Sequence, residues 1–367
     1  MSSQDREELK AAFLARHGLG GAMRARLPGD ASTRAYERLT APSGAPLILM
    51  DAPPAAEGKP CGPEATPEQR AAAGYNALAR LAACRVDAFA ATAAYLRGRG
   101  LSAPAIAACD VAQGLAVLED LGPRVFAVEI EAGSDPAPLY ETAIDLLVDL
   151  HRAAPPARLA YSDEAGGGTW PLLAYDALAL KTGADLFVEW WPRYAGGESF
   201  SPEALRSWTE LWAPIQARGG AGASVFTHRD YHAENLIWLP EREGLARVGL
   251  LDFQDAVLGH PAWDLFSLLQ DARRDVSDAL ERAMVARYLA ARPDLDREAF
   301  LADYAGLGAL NAARILGIFA RLIFRDGKPR YAAFIPRVRR ALEKNLAQPG
   351  MEGLRAWFET HAPAAAS

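Results

Sequence analysis

Val225-Phe226-Thr227-His228-Arg229-Asp230-Tyr231-His232-Ala233-Glu234-Asn235-Leu236-Ile237-Trp238 reads as an apolar strand that enters a polar loop and leaves it as a second short strand. A turn at Arg242-Glu243-Gly244 leads into a further strand, Val248-Gly249-Leu250-Leu251, which ends on Asp252-Phe253-Gln254-Asp255. Short apolar runs bounded by turn residues are strand signals. A single Asp or Asn in such a loop is usually a turn former, because its side chain bonds its own backbone. The ordered set His228, Asp230, Asn235 and Asp252 is poorly explained that way and marks the candidate site.

Outward from this stretch, strands come first and helices later. Residues 5–17 form a short charged helix stopped by Gly18, Gly20 and Gly21. A small, flexible turn at Gly29-Asp30-Ala31-Ser32 precedes two antiparallel strands, signalled by Tyr36 and Leu39 and by Leu47-Ile48-Leu49-Met50. Residues 55–83 change to Ala, Pro, Gly and Glu, with a helix expected over 68–81, and read as a surface insertion. A helix over 86–97 and two strands turning at Gln113-Gly114 complete this part. After Leu121-Gly122 the pattern is helical: 140–152, 172–191, 201–218 with Ser201 as N-cap and Pro202 following, then 278–292, 296–322 and 330–347. The fold class is α+β and bilobal, with a strand-rich lobe over 1–121 and a larger helical lobe over 122–367.

The 367 residues, 50% hydrophobic and 23% charged, suit a folded chain of two domains or one two-lobed unit. A net charge of −7 has the wrong sign for a nucleic-acid binder. Cys61, Cys84 and Cys109 are odd in number, lack metal-ligand spacing and follow no leader, so reduced thiols and a cytoplasmic location are expected. No membrane span is expected, since arginines interrupt even residues 309–324, and no obligate protein partner is evident.

The spacing His228-x-Asp230-x4-Asn235, with Asp252 after the next strand, is that of a kinase catalytic loop and its metal-binding aspartate. Phosphoryl transfer needs oxygen ligands for magnesium and a carboxylate to orient and deprotonate the attacking hydroxyl. Asn235 and Asp252 are the ligand candidates and Asp230 the base. His228 is expected to hold the loop through a hydrogen bond. His232 and Glu234 read as loop-packing or solvent groups, and Asp255 either supports the metal shell or turns the chain.

On these residues the sequence resembles the aminoglycoside phosphotransferase and choline kinase-like group, the small-molecule branch of the protein-kinase fold. The resemblance extends to Asp264-Leu265, as the buried aspartate supporting both loops, and to Leu150-His151, a structural landmark. It implies ATP and Mg2+ as cofactors, with Val117-Leu118-Glu119-Asp120-Leu121-Gly122 as the hinge whose backbone holds adenine and the turn at Gly29, Asp30, Ala31 and Ser32 over the phosphates. The family's strand lysine is absent from Leu47-Ile48-Leu49-Met50-Asp51. Arg34, Arg38 or Lys59 then supplies the missing charge, Arg34 first.

A narrower resemblance joins the 29–36 turn, Leu49-Met50-Asp51-Ala52-Pro53-Pro54, the Asp252 loop, Gly317-Ile318-Phe319-Ala320-Arg321-Leu322 and Arg325-Asp326-Gly327-Lys328. Together they look like the anomeric sugar kinases of cell-wall recycling, which implies phosphorylation of the 1-hydroxyl of N-acetylmuramate and N-acetylglucosamine. For the acceptor, Glu189 with Trp190 and Trp191 are candidates for gripping hydroxyls and stacking on a sugar face. Asn311 and Arg314 are candidates for an acetamido carbonyl or a lactyl carboxylate, although a capping or salt-bridge role is slightly favoured for them. An aminoglycoside, choline or amino-alcohol kinase of the same fold, and a nucleotide-binding pseudokinase, are the alternatives.

Overall fold

The computed structural model describes residues 3–28, 34–40, 44, 46–54 and 61–365. Its first part is a five-stranded antiparallel sheet in the order β1-β2-β3-β5-β4. The strands are β1 (Met23–Arg26), β2 (Ala35–Thr40), β3 (Pro46–Asp51), β4 (Ile106–Asp110) and β5 (Leu115–Glu119). Side chains alternate across a strand, so the apolar run of β3 is divided between two faces. Leu47 and Leu49 join Phe13 and Leu14 of helix α1 (Ser3–Arg16) on one face, and Ile48 and Met50 join the main core on the other. β1 was not expected from its sequence; its four residues are all exposed, so no alternation marks it.

α1 is tied to the sheet by buried charges. Arg6 donates to Asp51 Oδ1 at 2.8 and 2.6 Å and to the carbonyls of Gln113 and Gly114 at the hairpin turn. Glu37 accepts from Lys10 at 2.7 Å and from Arg24 at 2.6 Å, linking α1, β1 and β2.

The expected insertion is not merely a surface feature. Gly74, at φ +97°, divides the expected 68–81 helix into α2 (Pro67–Ala73) and α3 (Tyr75–Leu78). Arg70 and Arg80 are buried, and Arg70 bonds Asp176 at 2.6 Å. α4 (Val86–Gly98) follows, buried along most of its length.

The remainder is mainly helical: α5 (Phe126–Glu131), α6 (Pro136–His151), a hairpin of β6 (Arg158–Tyr161) and β7 (Gly168–Pro171), α7 (Ala177–Tyr194) and α8 (Pro202–Ala221). Two small antiparallel pairs come next, formed by β8 (Val225–Thr227), β9 (Leu236–Trp238), β10 (Val248–Leu250) and β11 (Val257–Gly259). The closing helices are α9 (Ala262–Leu269), α10 (Asp278–Ala291), α11 (Arg297–Phe324), α12 (Ile335–Leu346) and α13 (Glu352–His361).

Two expected helices begin late. α7 waits for its N-cap Asp176, whose side chain accepts from the Ala179 N–H, and the first turn of the expected 330–347 helix is a 3-10 turn. Ser201 caps α8 as expected.

One apolar cluster runs from Met50 and Leu118 in the sheet through Leu147 and Phe187 to Leu310 and Trp357, so the core crosses the Leu121 region without interruption. α11 is its axis. Its composition and 28-residue length would suit a bilayer, contrary to the sequence reading, but 67% of the apolar window is buried within the protein. It meets the backbone of α7 at Gly317, where an added Cβ would lie 2.3 Å from the Leu186 carbonyl carbon.

Hydrogen bonding by Arg24, with Lys10 contributing, outweighs burial and brings Glu37 down from 4.5 to about 2. Its contribution to stability is therefore complete above about pH 4.5 and is lost as pH falls towards 2. Glu37→Gln is expected to cost about 1–2 kcal/mol at pH 6, after allowance for solvent screening, and the difference from wild type in urea unfolding should shrink at pH 3.

Candidate active site

The small strand pairs bring two loops together. Leu236 faces Leu250 in the β9–β10 register, so Asn235 at the end of one loop meets Leu251 at the start of the other, with Leu251 N–H donating to the Asn235 carbonyl at 3.0 Å. Asp252 follows at φ +59°, a conformation that non-glycine residues seldom adopt. Arg229 is likewise held at φ +78°.

The loop that carries Arg229 is braced by Asp264. Its fully buried carboxylate accepts the N–H groups of His228 at 2.6 Å and Arg229 at 2.9 Å. Burial pushes this carboxyl up to about 7 against the pull of those two donors. The Trp263 indole N–H reaches the Arg229 carbonyl at 3.3 Å, and the Tyr231 hydroxyl donates to the Ala143 carbonyl at 2.9 Å.

His228 is buried in the loop, beside the Leu251 backbone at the start of the Asp252 loop. It packs edge-on against Tyr231 and Phe253, and burial lowers its pKa, so the ring is neutral. His151 bonds the Tyr288 hydroxyl at 2.8 Å inside the core.

Asp230 and Asp252 face a cavity of about 750 Å3. Among the described residues the Asp230 carboxylate has no hydrogen-bond or ion-pair partner. Asn235 Nδ2 donates to the Asp230 carbonyl at 2.9 Å, which fixes that backbone and leaves Asn235 Oδ1 as an available acceptor. The Asp252 carboxylate is raised by burial but held below its ordinary value by Arg34, through charge and a 2.5 Å bond, and by Gln254. Arg34 also donates to Gln254 Oε1. Asp255 accepts the N–H groups of Ala82 at 2.6 Å and Ala83 at 2.9 Å, which ties the Asp252 loop to the end of the 55–83 segment.

Asn311 and Arg314 line the same cavity, with Arg314 donating to Asn311 Oδ1 at 3.1 Å, so neither a cap nor a salt bridge accounts for them. Burial opposes the Arg314 charge, and Tyr175 and Asp230 favour it, with a net upward shift.

The aromatic acceptor candidates lie elsewhere. Trp191 is buried in a stack with Phe187, Trp190 is covered by the Arg193 guanidinium 4.7 Å from its ring centre, and Glu189 is exposed; none lines the cavity. Glu119 and Leu121 also lie outside it. The Glu119 carboxylate binds Arg242 at 2.5 Å and the Ala105 N–H at 3.0 Å, and Leu121 packs with Ile237 and Leu239. Arg38 pairs with Asp120 at 2.7 Å, away from the cavity. Gly29, Asp30, Ala31, Ser32 and Lys59 fall outside the described residues.

Sequence reasoning missed Tyr75, Asn76, Gln254, Asp271 and Arg273, which line the cavity. It had treated the segment carrying Tyr75 and Asn76 as surface, and only tertiary packing brings it against α11.

The donor set suits a hard divalent cation. Asp252 and Asn235 offer a carboxylate and an amide oxygen, the ligand types magnesium accepts, while no cluster of three or more His, Cys, Asp or Glu among the described residues forms a closed protein cage. Such a cation would take its other ligands from phosphates or water.

Comparison with known proteins identifies the family. A profile of the phosphotransferase enzyme family matches residues 24–301. The N-acetylmuramate/N-acetylglucosamine kinase of Caulobacter vibrioides is 61% identical over 361 residues, covering 98% of each chain. The protein of that name from Pseudomonas aeruginosa is 30% identical over 327 residues, 87% of this chain and 82% of that one. Among solved structures, a choline/ethanolamine kinase family protein from Mesorhizobium loti has a TM-score of 0.53 at 14% identity, covering 96% of this chain and 98% of that one. That likeness speaks for the fold.

Asp264→Asn replaces one acceptor by an NH2 group facing a backbone N–H. It is expected to cost about 1–3 kcal/mol in urea unfolding and to lower kcat in a phosphotransfer assay, because the loop carrying Asp230 loses a brace.

Proposed function

We propose that this chain, which belongs to the phosphotransferase enzyme family, transfers the γ-phosphoryl group of ATP to the anomeric 1-hydroxyl of N-acetylmuramate and N-acetylglucosamine. The products are the 1-phosphates, and the setting is peptidoglycan recycling in the cytoplasm, in keeping with Cys61, Cys84 and Cys109 forming no disulfide among the described residues. The family and the near full-length likeness to an N-acetylmuramate/N-acetylglucosamine kinase support sugar phosphorylation. The two sugars differ at C3, so a hydroxyl common to both is the acceptor, and the narrower sequence resemblance selects C1.

The observation that carries the mechanism is the Asp230 carboxylate, without a hydrogen-bond or ion-pair partner among the described residues, in a cavity shared with Asp252 and Arg314. In this reading Asp230 accepts a hydrogen bond from the acceptor hydroxyl, orients it and takes its proton as the bond to phosphorus forms. The Asn235 bond to the Asp230 carbonyl holds that carboxylate in place. Asn235 Oδ1 and Asp252 would hold Mg2+, which supplies neutralisation of phosphate charge when bound. Asp264 positions the loop, and His228 supports it by packing.

Arg34 takes the part of the absent strand lysine. It already lies against Asp252, where a single guanidinium can serve both the carboxylate and an incoming phosphate. The backbone at Glu119 and Leu121 forms the adenine-holding hinge, Gly29, Asp30, Ala31 and Ser32 are assigned to binding the phosphates, and the lobes divide near Leu121. Asn311 and Arg314 contact the acceptor. An aminoglycoside or choline kinase would need to stabilise a cationic acceptor, and a cavity lined by Arg34, Arg229, Arg273, Arg314, Arg321 and Arg325 does not favour one.

With Mg-ATP and a panel of N-acetylmuramate, N-acetylglucosamine, choline, homoserine and kanamycin, ADP release is expected with the two amino sugars alone. Turnover of kanamycin alone, or an acid-stable C6 monoester in phosphorus NMR, would overturn the assignment. Asp230→Asn should lower kcat by about 100- to 10,000-fold while ATP binding persists in calorimetry.

Arg34→Ala should raise the KM for ATP, with a smaller effect on the KM for sugar. An unchanged ATP KM would remove Arg34 from the nucleotide site.

A further inference from the structure

Asn311, Arg314, Ile318, Arg321 and Arg325 recur at intervals of three and four along α11 and its C-terminal end, and all five line the cavity that holds Asp230. That spacing places them on one helix face. The arginines around the cavity are not equally occupied. Arg34 is held by Asp252 at 2.5 Å, Arg273 by Glu234 at 3.0 Å and Arg325 by Asp326 at 2.6 Å. Arg229 lies over the Tyr175 ring at 4.5 Å and donates to the Arg80 carbonyl at 3.0 Å.

Arg321 differs. Its guanidinium stands 5.4 Å from the centre of the Tyr75 ring, and its Nε is buried with no hydrogen-bond partner among the described residues. It forms no ion pair among the described residues. Asp326 feels its charge but is already paired with Arg325. A buried donor left unmet in a folded protein costs free energy and calls for an explanation, of which a ligand is one. The Tyr75 face restrains the guanidinium without consuming a donor.

Position along the helix narrows the choice of ligand. Arg314 senses Asp230, so it lies at the reacting end of the cavity. Arg321, seven residues on, is about 10 Å further along the helix axis. A pyranose with its reacting 1-hydroxyl at Asp230 carries the three-carbon acidic ether at C3, two ring carbons away, and projects the carboxylate beyond the ring along the cavity.

Resting on the acceptor reading above, we propose that Arg321 binds the lactyl carboxylate of N-acetylmuramate, presented across the cleft by Tyr75, and thereby distinguishes the acidic acceptor from N-acetylglucosamine. A guanidinium fork matches a carboxylate bidentately, and Ile318 offers an apolar surface beside it in the same cavity. N-acetylglucosamine has no group to meet Arg321 and is held by the contacts common to both sugars.

The test is steady-state kinetics of wild type, Arg321→Ala and Arg321→Lys with each sugar at saturating Mg-ATP. Arg321→Ala is expected to lower the kcat/KM ratio of N-acetylmuramate to N-acetylglucosamine by about 10- to 100-fold, mainly through the KM for N-acetylmuramate, as for loss of a charge-assisted pair. Arg321→Lys should recover part of that ratio, because it restores the charge without the fork. Equal losses on both sugars, with no selective recovery by lysine, would make Arg321 structural and overturn the proposal. An unchanged ratio in Arg321→Ala would also overturn it. Wild-type turnover of neither sugar would instead overturn the acceptor reading, a result visible before any variant is compared.

Discussion

Asp264 contributes no surface to solvent, yet it accepts the main-chain N–H groups of His228 and Arg229 through its two carboxylate oxygens. Those donors belong to the loop that must turn sharply to present Asp230, and Arg229 can hold φ +78° only where its surroundings over-determine it. Asp264 stands in the first turn of α9, which packs against α11, the axis of the main core. The reactive loop is therefore positioned by the core through one carboxylate. Asp252, at φ +59°, comes to the same place by a second route, the β9–β10 register.

Local sequence order made that machinery legible. His228, Asp230 and Asn235 lie in one loop between two short strands, and Asp252 follows the next strand, so spacing along the chain stands in for spacing in the fold. The apolar run of β3 and the N-cap of α8 were readable for the same reason. Trp190 and Trp191 were not. Adjacent helical residues point about a quarter-turn apart, and which one enters the core depends on where α8 and α13 lie. The structure sends Trp191 inward to Phe187 and leaves Trp190 under Arg193. Tyr75 was hidden by composition, because a stretch rich in Ala and Pro gives no sign of the surface it will meet.

The 55–83 segment couples the two parts of the protein more directly than its composition suggests. Asp255 accepts the N–H groups of Ala82 and Ala83, Arg80 offers its carbonyl to Arg229, and Arg70 pairs with Asp176 at the cap of α7. One segment thus touches the loop of Asp252, the loop of Asp230 and the start of the helix that flanks α11. A displacement of the segment would be felt at both catalytic loops, since packed elements transmit movement instead of absorbing it.

The net charge of −7 poses a problem for any site that gathers phosphates, and the cavity answers it locally, with six arginines against four aspartates along its lining. Placing several guanidiniums together is unfavourable unless each is neutralised or stacked. Asp252, Glu234 and Asp326 neutralise three, the rings of Tyr175 and Tyr75 lie beside two more, and the sixth, Arg314, donates to Asn311 and is favoured by the charge of Asp230. The arrangement requires α11 to keep its face fixed against the cleft. Gly317 allows this: with no Cβ, it lets α11 meet the backbone of α7 at Leu186, and the nearby Gly183 leaves room for the Arg314 stem, since a Cβ there would sit 3.0 Å from Arg314 Cδ. The same close approach that packs the core also sets how far the arginines extend into the cavity, so the acceptor wall inherits its rigidity from the interior.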